Sequence, residues 1–319
     1  MRARIVCAIA AMALAATSAR AEVFYVDPAL GSPDGDGSAT NPWRTLQEVI
    51  EDDLIETQSW SELPYEEGRE LVPRNAGAPI GPGDTIRLLP GYHGEILIQG
   101  MYNESPITIE AEAGAVPEVS RLHFQGAAEW VVRGLSISPE HAPEYETGDL
   151  VFIESHDWQG PSYDVTVEGC EIYSMADSSG WSLEDWNNLP CNGVRVNGDD
   201  CVIRDNHLLN VDFGITVSGD GSLIEGNTVE NFAGDGLRGL GDHLTFQYNL
   251  IENCYDVNEN HDDGDGDGDG DSDGDGDSDG DGDGDGDSDG DGDSGGDDGC
   301  SCRQAAPSRS ALITRLVSL

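Results

Sequence analysis

Apolar and polar positions alternate in short bursts along most of the chain, as in DTIRLL, EILIQG, ITIEAE, WVVRGLSIS, LVFIES and YDVTVEGCEIYS. Alternation over four to eight residues predicts strands with one buried face. A single short amphipathic helix competes, at TLQEVIEDDLIE. From Cys201 onward the bursts fall into step. CVIRD, SLIEG and LTFQY each lead into a segment of the form N-x-Φ-x-N, with Φ apolar: NHLLN at Asn206, NTVEN at Asn227 and NLIEN at Asn249, 21 and 22 residues apart. A second series, NGVRV at Asn192, FGITV at Phe213 and DGLRG at Asp235, carries glycines at the same two spacings. Two interleaved series with one period describe a coil of two or three short strands repeated along an axis, a parallel β-solenoid. Strands of successive coils then lie about 4.8 Å apart, and matching positions form ladders. Asparagine suits a turn in such a coil, because it tolerates left-handed backbone and its amide can bond the asparagine of the next coil. A leucine-rich repeat of similar length would show leucines through a whole LxxLxL frame, and this chain does not. The expected fold is all-β.

Two stretches near the start narrow it further. YVDPALGSPDGDGSATNPWRTLQ (Tyr25 to Gln47) and GDTIRLLPGYH (Gly83 to His93) resemble the opening of secreted right-handed parallel β-helix proteins, the pectate lyase-like and chondroitinase B-like superfamily, which includes polysaccharide lyases. The resemblance runs from Glu22 to Gly264. It implies that PWRTL opens an N-terminal capping helix, that GDTIRLLPG is the first full coil, and that the partner is a polysaccharide. Two departures stand out. An insertion between Asp52 and Ile80, rich in Glu and Pro, reads as a surface loop over the N-terminal end. In the family NHxDG is followed by an apolar residue and further coils, whereas NHDDG here leads to Asp265, and the solenoid halts.

Charge changes the picture at both ends. Net charge is −48, and the 15 cationic side chains are all arginine. Such a surface repels nucleic acid and anionic lipid and attracts cations. The basic start MRAR, the apolar run IVCAIAAMALAA and the small-residue site ARA read as a secretory leader over residues 1–21, too short to span a bilayer. A β-helix domain is expected over 22–261, an Asp-Gly-Ser repeat without fixed structure over 262–299, and a cysteine-containing tail over 300–319. Alternating carboxylates at Asp265, Asp267, Asp269, Asp271 and Asp273 are the candidate Ca²⁺ positions, although no glutamate completes an EF-hand loop. The segment GCSCRQAAPSRSALITRLVSL resembles a myxobacterial surface-sorting tail, but its apolar run is nine residues with Arg315 at the centre. The expectation is a secreted monomer, displayed at the cell surface or released. Export permits disulfides among Cys170, Cys191, Cys201 and Cys254, in any of three pairings.

Candidate chemistry follows from the coil geometry. Alternation sends Val194, Val196, Ile215, Val217 and Leu237 inward and leaves Arg195, Thr216 and Arg238 as one outward ladder, with the two arginines roughly 10 Å apart. Guanidinium groups suit uronate carboxylates; the competing reading pairs each with a neighbouring Asp or Glu. The loop SMADSSGWSLEDWNNLPCNG offers Trp181 and Trp186 either for stacking on sugar rings or as packing anchors. The resembling lyases need a base, lysine in the chondroitinase B type and arginine in the pectate lyase branch. Lysine is absent here, so Arg238 or Arg195 would have to serve, with Asp235 as a candidate carboxylate. Hydrolysis would need two carboxylates at a defined separation. Asp256, His261, Asp262 and Asp263 would join the family's active face only if a further coil followed. The residues leave open a glycan-binding surface domain, a polysaccharide lyase or glycoside hydrolase, and a decayed enzyme.

Overall fold

The computed structural model describes residues 21–255. The leader, Asp256, His261, the Asp-Gly-Ser repeat with its candidate Ca²⁺ positions and the tail with Cys300 and Cys302 lie outside the described residues.

Parallel strands dominate, and they stack in coils. One coil is Asn192–Val196, Val202–Arg204 and His207–Val211; the next is Ile215–Val217, Leu223–Glu225 and Thr228–Phe232; the last among the described residues is Leu237–Gly239, Thr245–Gln247 and Leu250–Cys254. Register is continuous through all three: Val194 with Ile215 and Leu237, Ile203 with Ile224 and Phe246, Leu208 with Val229 and Ile251. The inward positions are those of the apolar alternation, and Val194, Ile215, Ile203, Ile224, Leu208 and Val229 are buried. Third strands form a separate seven-stranded sheet, whereas first and second strands merge into one curled fourteen-stranded sheet. The merger has a local cause. Leu122–Arg133 is one long bent strand whose first half pairs with Asp149–Glu154 and whose second half pairs with Tyr163–Glu168. Gly126 (φ 63°) sits at its bend, where a Cβ would come within 2.8 Å of the Gln159 backbone.

The two repeat series have distinct physical reasons. Asn227 Oδ1 accepts from the backbone N–H and the Nδ2 of Asn206, both at 3.0 Å, while its own Nδ2 donates to Ile203 O at 2.8 Å and to Asn249 Oδ1 at 3.0 Å. The first asparagine of each motif thus closes a buried amide ladder and is not itself left-handed. Left-handed backbone falls on the second asparagines, Asn210, Asn231 and Asn253, and on the residues before the first, Asp205, Gly226 and Tyr248. The glycine series exists for space: a Cβ on Gly193 would lie 2.5 Å from Gly214 O, and one on Gly214 would lie 2.2 Å from Gly236 O.

At the N-terminal end, Val23–Val26 pairs with Thr85–Leu88. A helix follows at Leu46–Glu51; its N-cap Thr45 accepts from Glu48 N, and it buries Leu46, Val49 and Ile50. The segment between Asp52 and Ile80, expected as a surface loop, is instead a hairpin of Thr57–Trp60 and Leu71–Arg74, joined antiparallel to the long strand Ile96–Ala111 through Gln58 and Tyr102. Fully buried Ile55 and Ile80 bridge its base, which explains the attachment. Cys170, Cys191 and Cys201 are buried thiols, not disulfides; burial pushes Cys170 and Cys201 up to about 12.

Glu129, Asp164 and Asp200 stack at consecutive left-handed corners (φ 59°, 51° and 52°). Burial, then Asp164, raises the Glu129 carboxyl above its ordinary value; burial, then Asp200, raises Asp164. A raised carboxylate disfavours the folded state above its folded pKa, and the penalty fades as pH falls through that value. Asp164→Asn, which the left-handed backbone tolerates, is therefore expected to raise Tm at pH 7. Melting curves should show the gain shrinking towards pH 3.5; an unchanged or lowered Tm at pH 7 contradicts the column's repulsion.

Candidate functional site

First-strand residues that face outward align in one row: Leu97, His123, Phe152, Arg195, Thr216 and Arg238. Arg195, Thr216 and Arg238 share it because Val194, Val196, Ile215 and Val217 take the inward positions. The His123 and Phe152 rings stack at 5.0 Å and 16°, and the Arg195 guanidinium carbon lies 4.8 Å from the Phe152 ring centroid. One side of the row is lined by Gln99, Gln125 and Glu154. Glu154 Oε2 is 2.8 Å from His123 Nε2 and accepts from Gln125 Nε2 at 3.0 Å. Farther along, Ser218 Oγ donates to Asn197 Oδ1 at 2.8 Å. On the opposite side Asn192 Nδ2 donates to Asp149 Oδ1 at 2.8 Å.

His123, Phe152 and Glu154 went unread in the sequence. The alternation in LVFIES does mark Phe152 and Glu154 as outward, but the row advances by 26, 29 and 43 residues before it reaches the regular repeat. Without a constant period, register cannot be read from spacing alone.

The arginines on this row differ from the rest. Arg195 approaches Asp149 at 3.5 Å and Arg238 approaches Asp235 at 3.8 Å, with side chains 49% and 45% exposed. Neither contact is a hydrogen bond. The other seven described arginines each have an oxygen partner within 3.0 Å: Arg44 and Arg69 on glutamates, Arg74 and Arg121 on backbone carbonyls, Arg87 on Glu110, and Arg133 and Arg204 on Glu168. Pairing with neighbouring acids is therefore present at Arg195 and Arg238 but loose. Their guanidinium N–H groups remain available.

A larger groove, about 630 Å³, runs along the second strands. Its floor is an alternating row, Arg87, Glu110, Arg133, Glu168 and Arg204. Each arginine there is engaged by a carboxylate of the adjacent coil, so the row ties coils together and offers a ligand little that is free.

The tryptophan loop places its two rings differently. It contains the helix Leu183–Asn188, closed by a Ser182–Asp185 capping box, and the one buried residue of that helix is Trp186. Trp186 is 5% exposed, with its ring stacked on Tyr255 at 4.6 Å and 14°. It anchors the loop and is nearly covered, leaving only a small part of its surface to line the pocket beside Trp181. Trp181 meets it edge to face at 4.7 Å and lines a separate pocket of about 340 Å³ with Asn210, Asn231 and Tyr255. No residue of the arginine row lines that pocket, so the structure does not bring Trp181 and the arginines into one cleft. Among the described residues, no group of three or more His, Cys, Asp or Glu side chains is arranged to hold a metal ion, and no helix is long and apolar enough to cross a membrane.

Fold and site together define a mostly β protein of stacked parallel coils with an outward row of aromatic and loosely paired cationic side chains. Among solved structures the chain is similar to pectate lyase Pel9A (14% identity, TM-score 0.37) and to a rhamnogalacturonan lyase (15% identity, TM-score 0.30). Both matches cover 73% of this chain, but the chain spans only 61% and 56% of those two. No protein-family model and no curated protein matches it.

Proposed function

We propose that the chain is an exported right-handed parallel β-helix, capped by the helix Leu46–Glu51, which binds an extended anionic polysaccharide along the row from His123 to Arg238. One observation carries this reading: of nine described arginines in a strongly acidic chain, the two without a close partner lie on the same outward row, two coils apart. A guanidinium exposed at such a site offers paired N–H donors to a carboxylate. Thr216 between them and Asn197, Ser218 and Gln125 beside them supply hydroxyl and amide groups for sugar hydroxyls. In this reading the alternating carboxylates after residue 261 bind Ca²⁺ weakly.

Catalysis is not part of the proposal. Removing the C5 proton of a uronate needs a base aimed at it; the chain has no lysine, and Arg238 leans towards Asp235. We expect that polygalacturonate, alginate and chondroitin incubated with the purified protein release no unsaturated uronate, followed by its absorbance. Release at about 1 per second or faster overturns the non-catalytic reading and makes Arg238 the first candidate base, with the His123–Glu154 pair to be tested beside it.

A further inference from the structure

We infer that the pocket beside Trp181 is a second carbohydrate subsite, selective for an uncharged sugar ring. The inference builds on the glycan-binding reading but uses none of the arginine row. At about 340 Å³ the pocket lies at the lower end of small-ligand sites, the size for one or two pyranose rings. It combines aromatic wall and amide floor. Trp181, Trp186 and Tyr255 all line it, with Trp186 meeting Trp181 edge to face and stacked on Tyr255, which orders the three rings. On the other side the left-handed corners present Asn210 and Asn231, whose amides are already ordered: Asn231 Nδ2 donates to Asn210 Oδ1 at 3.1 Å, Ser178 Oγ donates to the same oxygen at 2.7 Å, and Asn210 Nδ2 donates to Met175 O at 2.6 Å. This fixes the direction of Asn231, whose Oδ1 accepts no hydrogen bond among the described residues and remains for a ligand hydroxyl. Preorganised amides and rigid rings lose little freedom on binding.

Charge sets the selectivity. The lining holds one ionisable carboxyl, Asp177, held below its ordinary value by hydrogen bonds from Ser179, and no arginine or histidine. A uronate carboxylate placed here meets no cation and faces Asp177, so it is disfavoured. A sugar hydroxyl can donate to Asp177 or Asn231 while the ring's C–H face lies against Trp181. The protein thus reads a heteropolymer at two places: acidic residues at the arginine row, neutral residues at the loop pocket.

The test is isothermal titration of the full-length protein with cellotetraose, chitosan tetramer and tetragalacturonate, repeated on Trp181→Ala, Trp181→Phe, Asn231→Ala and the double variant Arg195→Ala/Arg238→Ala. We expect cellotetraose to bind the wild type, Trp181→Ala to weaken it about ten-fold, Trp181→Phe to recover most of it, and Asn231→Ala to weaken it several-fold. The double arginine variant should leave cellotetraose binding unchanged. Tetragalacturonate should be indifferent to Trp181. Absence of cellotetraose binding at millimolar concentration, equal binding by Trp181→Ala, or preference for the chitosan tetramer overturns the inference. Loss of tetragalacturonate binding alone strikes the arginine row and leaves the pocket standing. Circular dichroism of each variant confirms the fold.

Discussion

Asn227→Ala is expected to lower the stability of the coiled domain by about 3–5 kcal/mol, among the largest effects available to one side chain. Asn227 is fully buried and works in both directions along the axis. Its loss removes the acceptor of the Asn206 backbone N–H and Nδ2, and the donor to Ile203 O and Asn249 Oδ1. Each buried polar group left unsatisfied costs roughly 1–3 kcal/mol. Serine or alanine cannot span to both coils. Asn249 occupies the same ladder at the outermost described coil and is only half-buried, so Asn249→Ala should cost roughly 1 kcal/mol. Urea unfolding of both variants checks the contrast. A cost below about 1 kcal/mol at Asn227, or equal costs at both positions, contradicts an axial amide ladder that stabilises the stack.

The regular half of the molecule was legible because its period is constant. Asn206, Asn227 and Asn249 lie 21 and 22 residues apart, and each coil repeats the last without insertion, so both the ladders and the outward placement of Arg195, Thr216 and Arg238 follow from spacing. The upstream half was not, for the opposite reason. His123 and Phe152 stack directly on the row, yet 43 residues separate Phe152 from Arg195, because the helical loop with Trp186 lies between them. The sequence also cannot say which of two tryptophans is an anchor. Trp181 and Trp186 have similar neighbours in sequence, and only the approach of Tyr255 from the last strand decides which ring is covered. The hairpin at Thr57–Trp60 escaped notice because its strands are short and its apolar anchors, Ile55 and Ile80, sit outside them.

Arg195→Ala/Arg238→Ala is expected to weaken binding of an anionic oligosaccharide about 100-fold. A charge-assisted hydrogen bond contributes roughly 1.5–3 kcal/mol, and about 1.4 kcal/mol is a factor of ten; one such bond lost at each arginine gives the product. Neither side chain supports the fold through a hydrogen bond, and both are half exposed, so melting temperature should hold. The single variants should divide the loss unevenly. Arg195 is held over the Phe152 ring and is the better ordered donor, so its removal should account for the larger share. Raising salt screens both the attraction at the two arginines and the long-range repulsion between this acidic chain and an anionic ligand. The residual binding of the double variant, which keeps only the repulsion, should therefore strengthen as salt rises.

The most direct measurement is a calorimetric titration of hexagalacturonate into the wild type and into Arg195→Ala/Arg238→Ala, side by side at low and at physiological ionic strength. The wild type should bind at physiological ionic strength, where the long-range repulsion of the acidic chain is screened, and the double variant should lose about 100-fold there with its fold intact. Equal affinity in the two proteins, or no binding by the wild type at physiological ionic strength, contradicts a polysaccharide-binding face built on these two arginines.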